Sequence, residues 1–104
     1  MQTLAVYHHP SLVARDFPFF VFRKETRLYV NEKIMLSDGK GKELGPAKVL
    51  RIERVSLWDK STYNVPKVTD AEAKLSGFNN LGHLRRVFDD GQMKPIYKIT
   101  VRRE

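Results

Sequence analysis

The chain has 104 residues, of which 19 are Lys or Arg and 12 are Asp or Glu, giving a formal net charge of +7. That is the length of one domain, spanning residues 1–104, and its 41% hydrophobic residues supply the core that a disordered polybasic tail lacks. Without cysteine there are no disulfides, thiolate metal sites or thiol nucleophiles, and no apolar run approaches the roughly 18 residues of a membrane-spanning helix. A polyanionic partner stays open, because surplus positive charge supplies the sequence-independent part of nucleic-acid affinity. Residues 1–6 carry no basic region followed by a long apolar segment, so a cytoplasmic location is expected.

In chain order, residues 3–7 predict a short strand and residues 9–16 about two turns of helix, with Pro10 at the first position and Pro18 as the stop. Residues 19–22 and 26–30 are rich in β-branched and aromatic side chains and predict two strands around the charged cluster Arg23-Lys24-Glu25. Lys33–Ser37 predicts the next strand, closed by the turn Asp38-Gly39-Lys40-Gly41-Lys42. After Gly45-Pro46, residues 47–55 form a long strand whose apolar residues fall on both parities: Ala47, Val49 and Val55 on one, Leu50 and Ile52 on the other. A curved or bulged strand in a small barrel accounts for that better than a flat, half-exposed one.

Residues 56–67 form a polar connection carrying Trp58, the only tryptophan, and Tyr63. Thr69-Asp70-Ala71-Glu72 is a capping box that starts a short helix at Asp70, and Gly77 ends it. Asn79 or Asn80 caps a second helix with Leu81, Leu84, Val87 and Phe88 on one face and Arg85 and Arg86 facing outward. Residues 95–103 predict a last strand in which Tyr97, Ile99 and Val101 point inward and Lys98, Thr100 and Arg102 outward. The order implies an α+β domain: a small, mostly antiparallel β-barrel with two or three short helices.

The run Gly45-x-Ala47-x-Val49-x-x-Ile52-x-x-Val55, then Val68-Thr69-Asp70-Ala71-Glu72-Ala73-x-x-x-Gly77-Phe78 and Leu81-x-x-Leu84, resembles the ASCH family of PUA-like domains. Upstream, Arg23-Lys24-Glu25-Thr26-Arg27 looks like that family's Lys/Thr/Arg signature. The resemblance implies a PUA-like barrel with a cleft lined by this segment and a role in binding RNA. Some small members are similar to amidohydrolases that deacylate acetylated cytidine through a Lys, a Thr nucleophile and a Glu, and some are ribonucleases. In this chain Thr26 lies two residues after Lys24 and Arg27 follows it directly, whereas the family spacing is Lys, Thr three residues on, then Arg two further. Where the amidohydrolases carry their Glu, this chain has Ser76-Gly77-Phe78.

The chemistry of the residues points the same way. Arg23, Lys24, Thr26 and Arg27 combine three cations with a hydroxyl, suited to phosphate and base-edge contacts, although charge on an edge strand also serves to prevent pairing. In an enzyme, Lys24 would deprotonate Thr26, with Glu25 or Glu72 as the nearest carboxylates. Lys48, Arg51, Arg54, Arg85, Arg86, Lys98, Arg102 and Arg103 are candidates for one basic face, with dispersed solubilising charge as the alternative. Trp58, Tyr63 and Tyr7 are candidates to stack bases, although aromatics more often pack in cores. His8, His9 and His83 have no metal-ligand spacing, and no Gly-rich phosphate loop occurs, so neither a metal nor a cofactor is expected. The expectation is a monomeric RNA-binding module with no membrane or disulfide-linked partner, contacting nucleic acid through Arg23, Lys24, Thr26, Arg27, Arg51, Trp58, Arg85, Arg86 and Lys98. The second reading is a small hydrolase in the same cleft with Lys24 and Thr26 as its catalytic residues.

Overall fold

The computed structural model describes residues 1–6, 18–58, 64–89, 91 and 94–104. Five strands, β1 (Gln2–Ala5), β2 (Phe19–Arg23), β3 (Lys33–Ser37), β4 (Glu43–Val55) and β5 (Ile96–Arg103), make one sheet in the order β1-β3-β4-β5-β2. β1 runs parallel to β3, and the other three pairings are antiparallel. Helices α1 (Asp70–Leu75) and α2 (Leu81–Phe88) complete a small α+β domain whose sheet curls into a half-barrel. The helix expected over 9–16, with Tyr7, His8, His9 and Tyr63, lies outside the described residues.

Alternation along β2 explains the most apolar stretch of the chain. Phe19 and Val21 enter a core inside the curl with Leu4, Ile34, Leu36, Ala47, Val49, Ile99 and Val101. Phe20 and Phe22 enter a second core on the outer face, under the helices, with Val55, Leu57, Leu84 and Ile96. A strand covered on both faces reads as a continuous apolar run rather than an alternating one.

β4 carries the bend its two parities require. The register with β5 passes from Val49↔Val101 to Arg51↔Thr100, so Leu50 is the extra residue of a bulge, and the parity switches there. A second shift, against β3, leaves Leu44 extra beside Gly45, whose φ of 119° suits glycine. The strand expected over 26–30 does not form. Thr26 Oγ1 accepts from Leu28 N at 3.0 Å, Glu32 Oε1 accepts from Tyr29 N at 3.0 Å, and Asn31 turns through the left-handed region at φ 72°. These side chains supply the acceptors a neighbouring strand would have supplied, and the chain forms a loop instead.

The two edge strands are joined by a side chain. Arg23, at the end of β2, donates to the backbone oxygens of Phe22 and, across the gap, of Ala5 at the end of β1. Arg23→Ala is expected to cost about 1–2 kcal/mol by leaving the Ala5 carbonyl without this donor, and to speed amide exchange in β1. Thermal unfolding with hydrogen exchange checks this; unchanged stability and unchanged exchange in the variant would mean that the Arg23 bridge does not support the sheet edges.

The helices follow their caps. Thr69 Oγ1 accepts from Glu72 N and Glu72 Oε1 from Thr69 N, both at 3.1 Å, and Gly77 closes α1 at φ 91°. Asn80 caps α2 by accepting from His83 N at 2.8 Å. Leu84 is buried, and Leu81 and Phe88 pack against the outer core, but Val87, expected on that face, is 49% exposed. At i+6 it is turned well away from Leu81. Asp70 Oδ1 accepts from Leu81 N at 2.9 Å and so ties the two helices; this bond, followed by the Lys74 ammonium, holds its carboxyl below the ordinary range.

Candidate nucleic-acid interface

The loop after β2 is fixed from beneath. The buried Glu32 uses Oε2 to accept from Gln2 Nε2 at 3.0 Å, and Gln2 Nε2 also donates to the Arg27 carbonyl at 3.1 Å. Asn31 N bonds to Val49 O at 2.7 Å and Val49 N to Glu32 O at 2.9 Å, anchoring the loop's end to β4. Lys24, Glu25, Thr26 and Arg27 are thereby presented on one wall of an open cleft of about 840 Å³.

The rest of the lining comes from the ends of β4 and β5 and the segments beside them. Arg54 and Tyr97 are register partners past the Leu50 bulge. Arg54 donates to the Tyr97 hydroxyl at 2.8 Å, with its guanidinium carbon 4.6 Å from the ring centroid. Trp58, Phe88 and Lys94 also line the cleft, and Leu57, Pro95 and Ile96 give it an apolar base. The buried Ser56 fixes the Trp58 backbone, its Oγ accepting from Trp58 N at 3.1 Å and donating to Trp58 O at 3.2 Å. Arg85 donates to Leu57 O at 2.5 Å and lies 5.5 Å from the Trp58 ring centroid.

Of the candidate residues, Lys24, Thr26, Arg27 and Trp58 line the same cleft. Arg23, Arg51, Arg85, Arg86 and Lys98 are not among its lining residues. Arg23 spans the sheet edges, and Arg51 is highly exposed with Nε 3.6 Å from Glu53. Arg86 is exposed, whereas Arg85, expected to face outward, is half-buried against Trp58. Lys98, expected on an open basic face, sits under the helices: its Nζ is 2.6 Å from Glu72 Oε2 and 4.5 Å from the Phe20 ring centroid. Its side chain is only 18% exposed.

Lys94 and Tyr97 enter the cleft without a signal in the sequence, and Arg54, a candidate for a general basic face, belongs to the cleft instead. The Arg54–Tyr97 pairing depends on where β4 bulges, which apolar parity signals only coarsely. Thr26 Oγ1 already accepts a backbone hydrogen bond. Glu25 is the carboxylate among the lining residues. Among the described residues, no group of three or more His, Asp or Glu side chains converges as metal ligands, and no helix is long and apolar enough to cross a membrane.

No protein-family model matches the chain, and no curated protein or solved structure matches it either. Fold and cleft together define a small α+β half-barrel domain with a basic, aromatic-lined cleft at one end of its sheet.

Proposed function

We propose that this protein is an RNA-binding module of the ASCH/PUA-like kind that holds a single-stranded or modified nucleotide in the cleft. One observation carries the reading: four cations, Lys24, Arg27, Arg54 and Lys94, line the same cleft as the rings of Trp58 and Tyr97. Single-stranded nucleic acid is held by that combination, with cations on the phosphates and rings under the bases. A volume of about 840 Å³ suits a ligand of nucleotide size. RNA, as against DNA, would be distinguished by its 2′-hydroxyl.

The test is fluorescence anisotropy with a labelled mixed-sequence RNA of about six nucleotides. Binding should weaken with salt, with a slope of log K against log salt of about −2 to −3 if three or four phosphates are neutralised, at about 0.7 each. No retention at low salt would end the proposal.

A small hydrolase, either a ribonuclease or an acetylcytidine amidohydrolase, is the second reading because Lys24, Glu25 and Thr26 line this cleft together. Binding ranks first because Thr26 Oγ1 serves the Leu28 amide. Turnover of RNA or acetylcytidine that disappears in both Lys24→Ala and Thr26→Ala would reverse that order.

A further inference from the structure

A second concentration of positive charge lies away from the cleft. In the sheet register Lys33 of β3 is opposite Lys48 of β4, and Lys48 is opposite Arg102 of β5. The three form one row across three adjacent strands. Their neighbours Ile34, Ala47, Val49 and Val101 are buried inside the curl, so alternation points the row out of it. The helices cover this outer face only towards its other end, where Phe22, Val55 and Ile96 lie in the outer core. Lys33 and Arg102 are exposed and Lys48 is half-buried.

Adjacent strands are about 4.8 Å apart, so the backbone positions that carry the three charges span about 10 Å. Like charges directly opposite one another on neighbouring strands are destabilising. Among the described residues no carboxylate forms an ion pair with Lys33, Lys48 or Arg102. Charge is often placed on sheet edges to block unwanted pairing, and β1 and β2 pair only as far as Ile34 and Val101, one residue short of Lys33 and Arg102; Lys48, on the central strand, is paired on both sides and has no edge to protect. Solubility is served by interspersed signs and gives no reason for an unbroken row of one. The cost is recovered if the row faces a polyanion.

We infer that Lys33, Lys48 and Arg102 form a second nucleic-acid contact, which grips the phosphate backbone of an RNA strand passing over the outer face of the sheet. Outward positions next along the three strands, Met35, Pro46 and Thr100, carry no aromatic ring on which a base could stack. This contact therefore positions the strand without reading its sequence. The choice of RNA as the polyanion rests on the reading of the cleft, while the placement of the row does not.

The experiment compares wild type, the triple variant Lys33→Gln/Lys48→Gln/Arg102→Gln and the cleft variant Arg27→Ala/Arg54→Ala on mixed RNAs of about six and about 25 nucleotides over a salt series. The triple variant should bind the long RNA about 10-fold more weakly at moderate salt, with a slope shallower by about 2, three phosphates at about 0.7 each. Its affinity for the short RNA should change less than about threefold, and its thermal midpoint should not fall, because the substitutions relieve like-charge contacts. Equal long-RNA affinity and slope in wild type and triple variant would overturn the inference. So would an unchanged long-RNA affinity coupled with lost binding to phosphatidylserine vesicles, which would assign the row to a membrane surface. If the cleft reading alone is wrong, the cleft variant will match wild type on both RNAs while the triple variant still loses the long one.

Discussion

At neutral pH, Glu72→Ala lowers the thermal unfolding midpoint by about 10 °C, a loss of about 2 kcal/mol in a domain of this size. One carboxylate serves two structures. Oε1 accepts from Thr69 N and Thr69 Oγ1 at 3.1 Å each and closes the capping box of α1, while Oε2 accepts from Lys98 Nζ at 2.6 Å and ties that helix to β5. Exposed ion pairs contribute little, but these side chains are only 26% and 18% exposed. Alanine removes the box, worth about 1 kcal/mol, and leaves a largely buried ammonium against the Phe20 ring, at a further cost of about 1 kcal/mol.

The pH dependence separates the two contributions. Burial pushes the Glu72 carboxyl up, but the Lys98 ammonium and the Thr69 donors outweigh it and hold the group below its ordinary value of 4.5. A carboxylate whose folded pKa is depressed adds stability above its unfolded pKa and loses it as pH falls through the folded one. Glu72→Gln keeps an acceptor for the cap and removes the charge. Its deficit against wild type should be constant from pH 7 to about pH 5 and shrink from about pH 4.5 downwards. A deficit unchanged throughout the acid range would mean that the ion pair contributes nothing.

Where one residue's chemistry dictates a local conformation, the sequence was readable. Thr69 and Glu72 predict their cap because hydroxyl and carboxylate at that spacing satisfy each other's amides. The two apolar parities of β4 predict a bend or bulge because a straight strand with one face towards solvent buries only one of them. The segment 26–30 misled because its β-branched and aromatic residues favour a strand, while its amides are claimed by Thr26 and by Glu32, a residue beyond the segment. Basic side chains were the hardest to place. Arg23, Arg54, Arg85 and Lys98 look alike in a sequence, yet one spans the sheet edges, one enters the cleft, one lies against Trp58 and one pairs with Glu72 under a helix. Each outcome depends on a partner distant in the chain, and strand pairing and helix docking bring that partner close.

On the proposed reading that the cleft holds RNA, two different losses are separable in one assay. Base stacking on an aromatic ring is worth about 1–3 kcal/mol, so Trp58→Ala should weaken binding of a short RNA by about 30-fold and leave the salt slope unchanged, because no counterion release is lost. Arg54→Ala should weaken it by about 10-fold and make the slope shallower by about 0.7, the share of one phosphate. Trp58 also packs against the outer core, so its alanine variant will be less stable; Trp58→Phe keeps a ring and should recover most of both stability and affinity. Tyr97→Phe removes the acceptor for Arg54 while keeping the ring, and so tests whether the 2.8 Å hydrogen bond presents the guanidinium to the ligand. The Trp58→Ala/Arg54→Ala double variant should fall short of the product of the two single losses, since residues sharing one ligand are coupled. A Trp58→Ala variant that remains folded and binds within twofold of wild type would remove stacking from the mechanism and leave the cleft a purely electrostatic groove.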